Sequence, residues 1–304
     1  MNRGIIGLGI TVLIIILIIG FGYFNRVAKA DGSPKKLREL TPAEVNKMEQ
    51  VIPAQAMAVP KQPRKILVFW LCNGYFHESI PVINKAVEMM GKKTGAYDTV
   101  FSDDMNMFSA DKLAQFDGVL FSNTTKLEFN DSQKKALMDF VKGGKGIIGI
   151  HAATDNFYTW PEAAEMMGGT FVYHPWTSGG IWAIKNVDPN HPLNASFKGE
   201  GFKIKDEIYR QKLLNLRENC HVLLALDLND PATRNAKGAQ ESDADMPVSW
   251  LRNYERGRVF YCGLGHNNEV IFMPKILQHY LAGIQFALGD FAVDATANTK
   301  DIKK

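Results

Sequence analysis

An apolar run, Gly146-Ile147-Ile148-Gly149-Ile150, stops at His151, and the small residues Ala152-Ala153-Thr154 follow before Asp155. The run reads as a buried strand and its continuation as a tight turn. Turns at that position in α/β enzymes often present a nucleophile; here the group presented is an imidazole. An imidazole titrates near neutral pH, so it can take or give a proton, and in its neutral form it binds metal ions. His151 has company among the seven histidines. His77 follows KILVFWLCNGYF, His266 follows RVFYCGLG, and His174 follows TFVY, a shorter strand-like run. Each alone reads most simply as a structural or surface residue. Several at one edge of a sheet make a candidate site. His191, His221 and His279 occupy loop, edge and helix positions and read as structural.

Carboxylates and aromatics fall near the same places. Asp155 lies four residues past His151, Asp206 and Glu207 are adjacent, Glu78 follows His77, and Glu269 closes GHNNE. A His–carboxylate pair orients an imidazole for proton transfer or binds a divalent ion. A solvated loop acid or a helix cap is the alternative for each. Tyr75, Trp160, Tyr173, Trp176 and Tyr209 lie near the strand ends, where exposed rings would stack on a sugar; core packing accounts for them equally. No HxH or HExxH spacing is present, as expected where ligands come from separate strand ends. The three cysteines, Cys72, Cys220 and Cys262, lack metal spacing, and their odd number argues against a disulfide framework.

The elements that must position these groups follow from apolar patterning. Residues 65–71, 117–122 and 146–150 are continuous apolar strands, the kind buried on both faces. Between them, residues 80–90 and 132–141 carry helical spacing, the second ending at Gly143-Gly144. Strand-helix alternation predicts a parallel sheet with covering helices, whose ligands bind beyond the carboxyl ends of the strands. Residues 222–226, 247–251 and 258–263 are further strands, and residues 274–288 a last helix.

The 304 residues, 46% of them hydrophobic, suffice for one large α/β domain. With a net charge of +3 and no basic stripe, nucleic acid is not an expected partner. Residues 4–24 are uncharged and long enough to span a bilayer, which takes roughly 20 residues. Ala28-Lys29-Ala30 then fits signal-peptidase cleavage. Residues 1–30 are therefore a signal peptide or a membrane anchor, and the protein is expected to be exported: periplasmic, or anchored facing the periplasm. Basic residues after the span would favour the opposite orientation in an uncleaved helix. Contact with the membrane is expected only through this segment. Residues 31–64 form a short helix, begun by the capping box of Thr41 and Glu44, and a proline-rich arm. Residues 65–289 form the domain, and residues 290–304 a loose tail. An oligomer is compatible with this pattern.

Several motifs together carry a resemblance. They are GYFHESI (74–80), SNTT (122–125), GGKGIIGIHAATD (143–155), Trp160-Pro161 with GGTFVYHP (168–175), DEIY (206–209), and PVSW (247–250) with GRVFYCGLGHNNE (257–269). In order and spacing they resemble the ThuA-like, trehalose-utilisation, domain family over residues 65–288. The resemblance implies the fold of class I glutamine amidotransferases, a flavodoxin-like three-layer sandwich with a mainly parallel central sheet. In amidotransferases the turn after this strand carries a nucleophilic cysteine, and a later strand ends at the histidine that activates it. Here those places hold His151 and His266, and no cysteine stands at the turn. An imidazole cannot form the thioester of that chemistry, so glutaminase activity is not expected.

The resemblance further implies work on a disaccharide or on a sugar oxidised to its 3-keto form. A ketone acidifies the neighbouring C–H bond, so a base could open the way to elimination or isomerisation. His151, His266 and Glu207 are the candidate catalytic groups. His77, Asp155, Trp160, His174 and Asn267 are the candidate substrate contacts, and His77, His151 and His266 the candidate ligands of a divalent metal. Competing readings are a non-catalytic carbohydrate- or metal-binding module and a structural domain with a relic pocket.

Overall fold

The computed structural model describes residues 37–298, and in addition the backbone of Val27–Ala28, which pairs antiparallel with Pro34–Lys35. The apolar segment 4–24 and residues beyond 298 lie outside the described residues. Among the described residues, no helix is long and apolar enough to cross a membrane.

The continuous apolar runs become strands β1 (Lys65–Phe69), β3 (Gly118–Ser122) and β4 (Gly146–Ile150). Strand β2 (Asp98–Ser102) was not expected; it is an edge strand, only half buried, with a weaker apolar signal. Downstream come β5 (Gly169–Trp176), β6 (Ile181–Asn186), β7 (Phe202–Lys205), β8 (Ile208–Leu213), β9 (His221–Leu226), β10 (Pro247–Tyr254) and β11 (Gly257–Cys262). Nine strands join in the order β2-β1-β3-β4-β11-β10-β9-β6-β7. The first five are mutually parallel, in the flavodoxin order, and in the remainder only β10 and β6 run against them.

Helices cover both faces, which is why the parallel strands are apolar throughout. One face packs Ile66, Val68, Ile148 and Ile150 under α2 (Ile80–Thr94) and α5 (Pro274–Ala287). The other packs Leu67, Phe69, Ile147 and Tyr261 under α3 (Asp131–Lys142) and α4 (Pro161–Met167). Residue alternation along each strand sends neighbours to opposite cores. Gly149 is required by closeness: a Cβ there would lie 2.9 Å from the Tyr261 ring and 3.1 Å from the Met167 sulfur. Ahead of the sheet, the Thr41–Glu44 capping box starts α1 (Pro42–Val51).

Strands β5 and β8 form a separate antiparallel ribbon. The tail expected to be loose is instead held as far as residue 298. Asp290 accepts hydrogen bonds from Arg64, and Asn298 exchanges two with the backbone of Val222.

Candidate functional site

His151 stands where β4 becomes a single 3₁₀ turn, His151–Thr154. Its backbone sits at φ +43°, a region that residues other than glycine seldom occupy. Neighbours impose it. The Ala152 N–H donates to Asn123 Oδ1 at 3.2 Å, and the Tyr261 hydroxyl donates to the His151 carbonyl at 2.6 Å. Asn123 also donates to Ser79 Oγ, at 2.8 Å, so one buried amide joins the ends of β3 and β4 to the start of α2. The imidazole is fully buried, and its Nδ1 lies 2.9 Å from the Gly263 carbonyl. A carbonyl only accepts, so Nδ1 carries the proton and Nε2 presents its lone pair.

That lone pair meets His266, on the loop after β11, with Nδ1 3.3 Å away. The loop is clamped by Asp206, whose two carboxylate oxygens accept from Gly265 N at 2.7 Å and Asn267 N at 2.8 Å. Of the adjacent acids, Asp206 therefore holds the loop and Glu207 faces the site. Glu207 Oε1 lies 3.2 Å from His266 Nδ1 and 3.8 Å from His151 Nε2, while its Oε2 lies 3.3 Å from His174 Nδ1. His77 packs edge-on against both other rings, at 4.9 and 5.1 Å between centroids, with the Tyr209 hydroxyl 3.4 Å from its Nε2. Its Nδ1 is buried without a partner. One ligand atom from each of His77, His151, His266 and Glu207 lies within 4.8 Å of the others.

The charges suit a cation. Burial, helped by the neighbouring imidazoles, pushes His77 down to about 3 and His151 well below its ordinary value. Burial would lower His266 as well, but the hydrogen bond and charge of Glu207 outweigh it and raise that group. Two imidazoles are thus neutral across the physiological range, and the third is paired with a carboxylate. Three nitrogens and one oxygen, drawn from four strand or ribbon ends, form a donor set that a divalent transition metal accepts. The orphaned Nδ1 of His77 fits the same reading.

Of the cluster, His77, His266 and Glu207 line a cavity of about 620 Å³, and His151 is buried behind them. Lys126, Asp155, Tyr158, Phe171 and Tyr75 line the rest. The Tyr158 hydroxyl donates to Asp155 Oδ1. His174 stands at the mouth, 41% exposed at its side chain, and ring-stacked with Phe171 and Tyr173.

The fold thus brings together His77, His151, His266, Glu207, His174 and Asp155. It does not bring Trp160, which packs at 5.3 Å from Phe129 and 5.8 Å from Phe157 in the core beneath α4. Trp176 is fully buried, its indole N–H donating to Thr233 O, so neither tryptophan presents a face to the cavity. Asn267 uses its amide to hold Ser178 O and Lys205 O, which ties the loop rather than opening toward the cavity. Glu78 and Glu269 are exposed and lie apart from the cluster. Tyr158 and Lys126 were not anticipated. Lys126 follows SNTT directly, at another strand end, and that position was the available signal.

A family model described as trehalose utilisation matches residues 65–287. No curated protein matches the sequence. Among solved structures, a ThuA-like protein from Bacteroides uniformis superposes with a TM-score of 0.62 at 18% identity, over 75% of this chain and 93% of that one. A ThuA-like protein from Parabacteroides merdae gives 0.56 at 18% identity, over 78% and 96%. At that identity these likenesses bear on the fold.

Proposed function

The chain belongs to the ThuA, trehalose-utilisation, family, and from that premise we propose that it processes a disaccharide or keto-sugar with a divalent metal held by His77, His151, His266 and Glu207. The observation that carries this reading is the convergence of those four ligand atoms within 4.8 Å, in a cavity large enough for a sugar. When bound, such an ion supplies a Lewis acid for charge developing on a substrate oxygen. The chain's own groups do the rest. Gly263 and Asp206 set the orientation of His151 and of the His266 loop, so the donor set is built before anything binds. Tyr75, 62% exposed, offers a ring face and a hydroxyl to a polyol, and Lys126 in the same lining offers a cation. Glutaminase chemistry has no nucleophile here, since all three cysteines are buried elsewhere. We further propose export, on the strength of the uncharged segment 4–24 and the Ala28-Lys29-Ala30 pattern; fractionation of expressing cells tests it.

The first test is elemental analysis of the purified protein beside His151→Ala and Glu207→Gln. One equivalent of a transition metal is expected in the parent, and much less in both folded variants. A parent that binds no added zinc or manganese would sink the metal reading and leave simple sugar binding.

A further inference from the structure

We propose that Asp155 is the base that removes the proton from the carbon beside the sugar's carbonyl; this rests on the keto-sugar reading above. A filled cluster takes one donor atom from each of His77, His151, His266 and Glu207, and the other Glu207 oxygen lies 3.3 Å from His174 Nδ1. The rest of the lining offers Lys126, Tyr158, Asp155 and, exposed at the mouth, His174. Lys126 is a cation, and the Tyr158 proton is already given to Asp155 Oδ1. Asp155 Oδ2 accepts no hydrogen bond among the described residues and is not sealed from solvent. Among the carboxylate oxygens of the lining it alone is uncommitted, since both Glu207 oxygens face imidazoles.

The backbone that carries it is fixed on both sides. The Asp155 N–H donates to Ala152 O at 2.8 Å, and its carbonyl accepts from Lys126 N at 2.7 Å. Ligand His151 and base Asp155 therefore ride on the same turn, four residues apart, with His151 buried behind the cavity that Asp155 lines. Burial pushes the Asp155 carboxyl above its ordinary value, against the pull of the Tyr158 hydrogen bond and the Lys126 charge. That makes it a stronger base than a surface aspartate.

In the step itself, Oδ2 takes the proton and the C–H bond breaks. Its electron pair becomes the new C=C bond, and the carbonyl π pair moves onto oxygen, on the side of the cluster. Return of the proton to the same carbon regenerates the ketone. Return to the neighbouring carbon, with the hydroxyl proton passing from its oxygen to the former carbonyl oxygen, isomerises it. No oxidant or other reactant is needed.

The test uses full-length protein loaded with zinc or manganese, and methyl 3-oxo-glucopyranoside in D₂O, with solvent deuterium followed into the sugar by NMR. Asp155→Asn is expected to lower the exchange rate ~100-fold or more, with metal content unchanged. Tyr158→Phe is expected to move the acidic limb of the exchange-against-pH curve upward, because the hydrogen bond that lowers Asp155 is gone. Exchange that continues at the parental rate in metal-loaded Asp155→Asn overturns the assignment of Asp155 while sparing the keto-sugar reading. A metal-loaded parent that exchanges nothing above the buffer rate overturns both.

Discussion

His151 gives up ordinary backbone geometry to stand at the end of β4, and it, His77 and His266 give up ordinary ionisation. His77 titrates at about 3 when folded, against 6.5 for a free imidazole. A group depressed on folding contributes its stability above the unfolded value and loses it as pH falls. His151 has the same sign, and His266, which is raised, has the opposite one. Two groups outweigh one, so chelator-treated protein is expected to lose thermal stability as pH drops from about 6.5 toward 4. A melting series checks this, and His77→Gln should flatten the slope. Metal adds to the effect, since protons compete for the same nitrogens. Trp160 makes the complementary case. Trp160→Ala should cost ~3 kcal/mol in urea unfolding, from the cavity left beside Phe129 and Phe157. Metal content and sugar affinity should not change. A loss of sugar binding in a folded variant would return Trp160 to the site.

Secondary-structure elements matter here chiefly at their ends. Strands β1, β3, β4 and β11 are parallel neighbours, so their carboxyl ends open on one edge, and the loops beyond carry His77, Lys126, His151 and His266. The β5–β8 ribbon then brings His174, Glu207 and Tyr209 to that edge from another direction. The join between the two is Asp206, fully buried and pushed up to about 7 by burial even though two backbone N–H groups pull it down. Asp206→Asn should weaken metal binding ~10–100-fold, as loss of an outer partner of a ligand does, while leaving the circular dichroism spectrum intact. A chelator competition titration measures it. Unchanged affinity would mean that Ser79 and Asn123, which bond Gly265 O, suffice to hold the loop.

Across the molecule, the domain is closed by contacts between its first and last residues. Arg64, just before β1, grips Asp290, just after α5, through Nε at 2.9 Å and Nη2 at 2.6 Å. The Asp290 side chain is wholly buried and the Arg64 side chain 11% exposed. The hydrogen bond to Asp290 raises Arg64 beyond its already high ordinary value. Removing one partner strands a buried charge, so Arg64→Ala should cost ~3 kcal/mol. Equilibrium unfolding in urea reads it, and metal binding, at the opposite end of the strands, should survive. The arm before Arg64 is tied in the same manner, with Gln285 on α5 accepting from Met57 N and donating to Ala58 O.

By itself the sequence determined the architecture, and it named all six groups that the fold draws together. A strand buried on both faces shows as an unbroken apolar run, and in a parallel sheet every such run ends on the same edge. His77, His151 and His266 could therefore be placed together from local pattern alone, and Asp155 with the turn it follows. Tertiary structure decided the rest. Which of Asp206 and Glu207 faces the site depends on how the β5–β8 ribbon meets the sheet edge, and one step along an extended chain reverses a side chain's direction. The ribbon itself was illegible beyond a short run before His174, because its alternation is broken by Pro175 and by register shifts. Trp160 and Trp176 show the same limit from the other side: a large aromatic near a strand end packs or projects according to what the fold sets against it. Tyr158 lies on a loop whose sequence has no periodicity, and its place beside Asp155 exists only once the turn after β4 is folded.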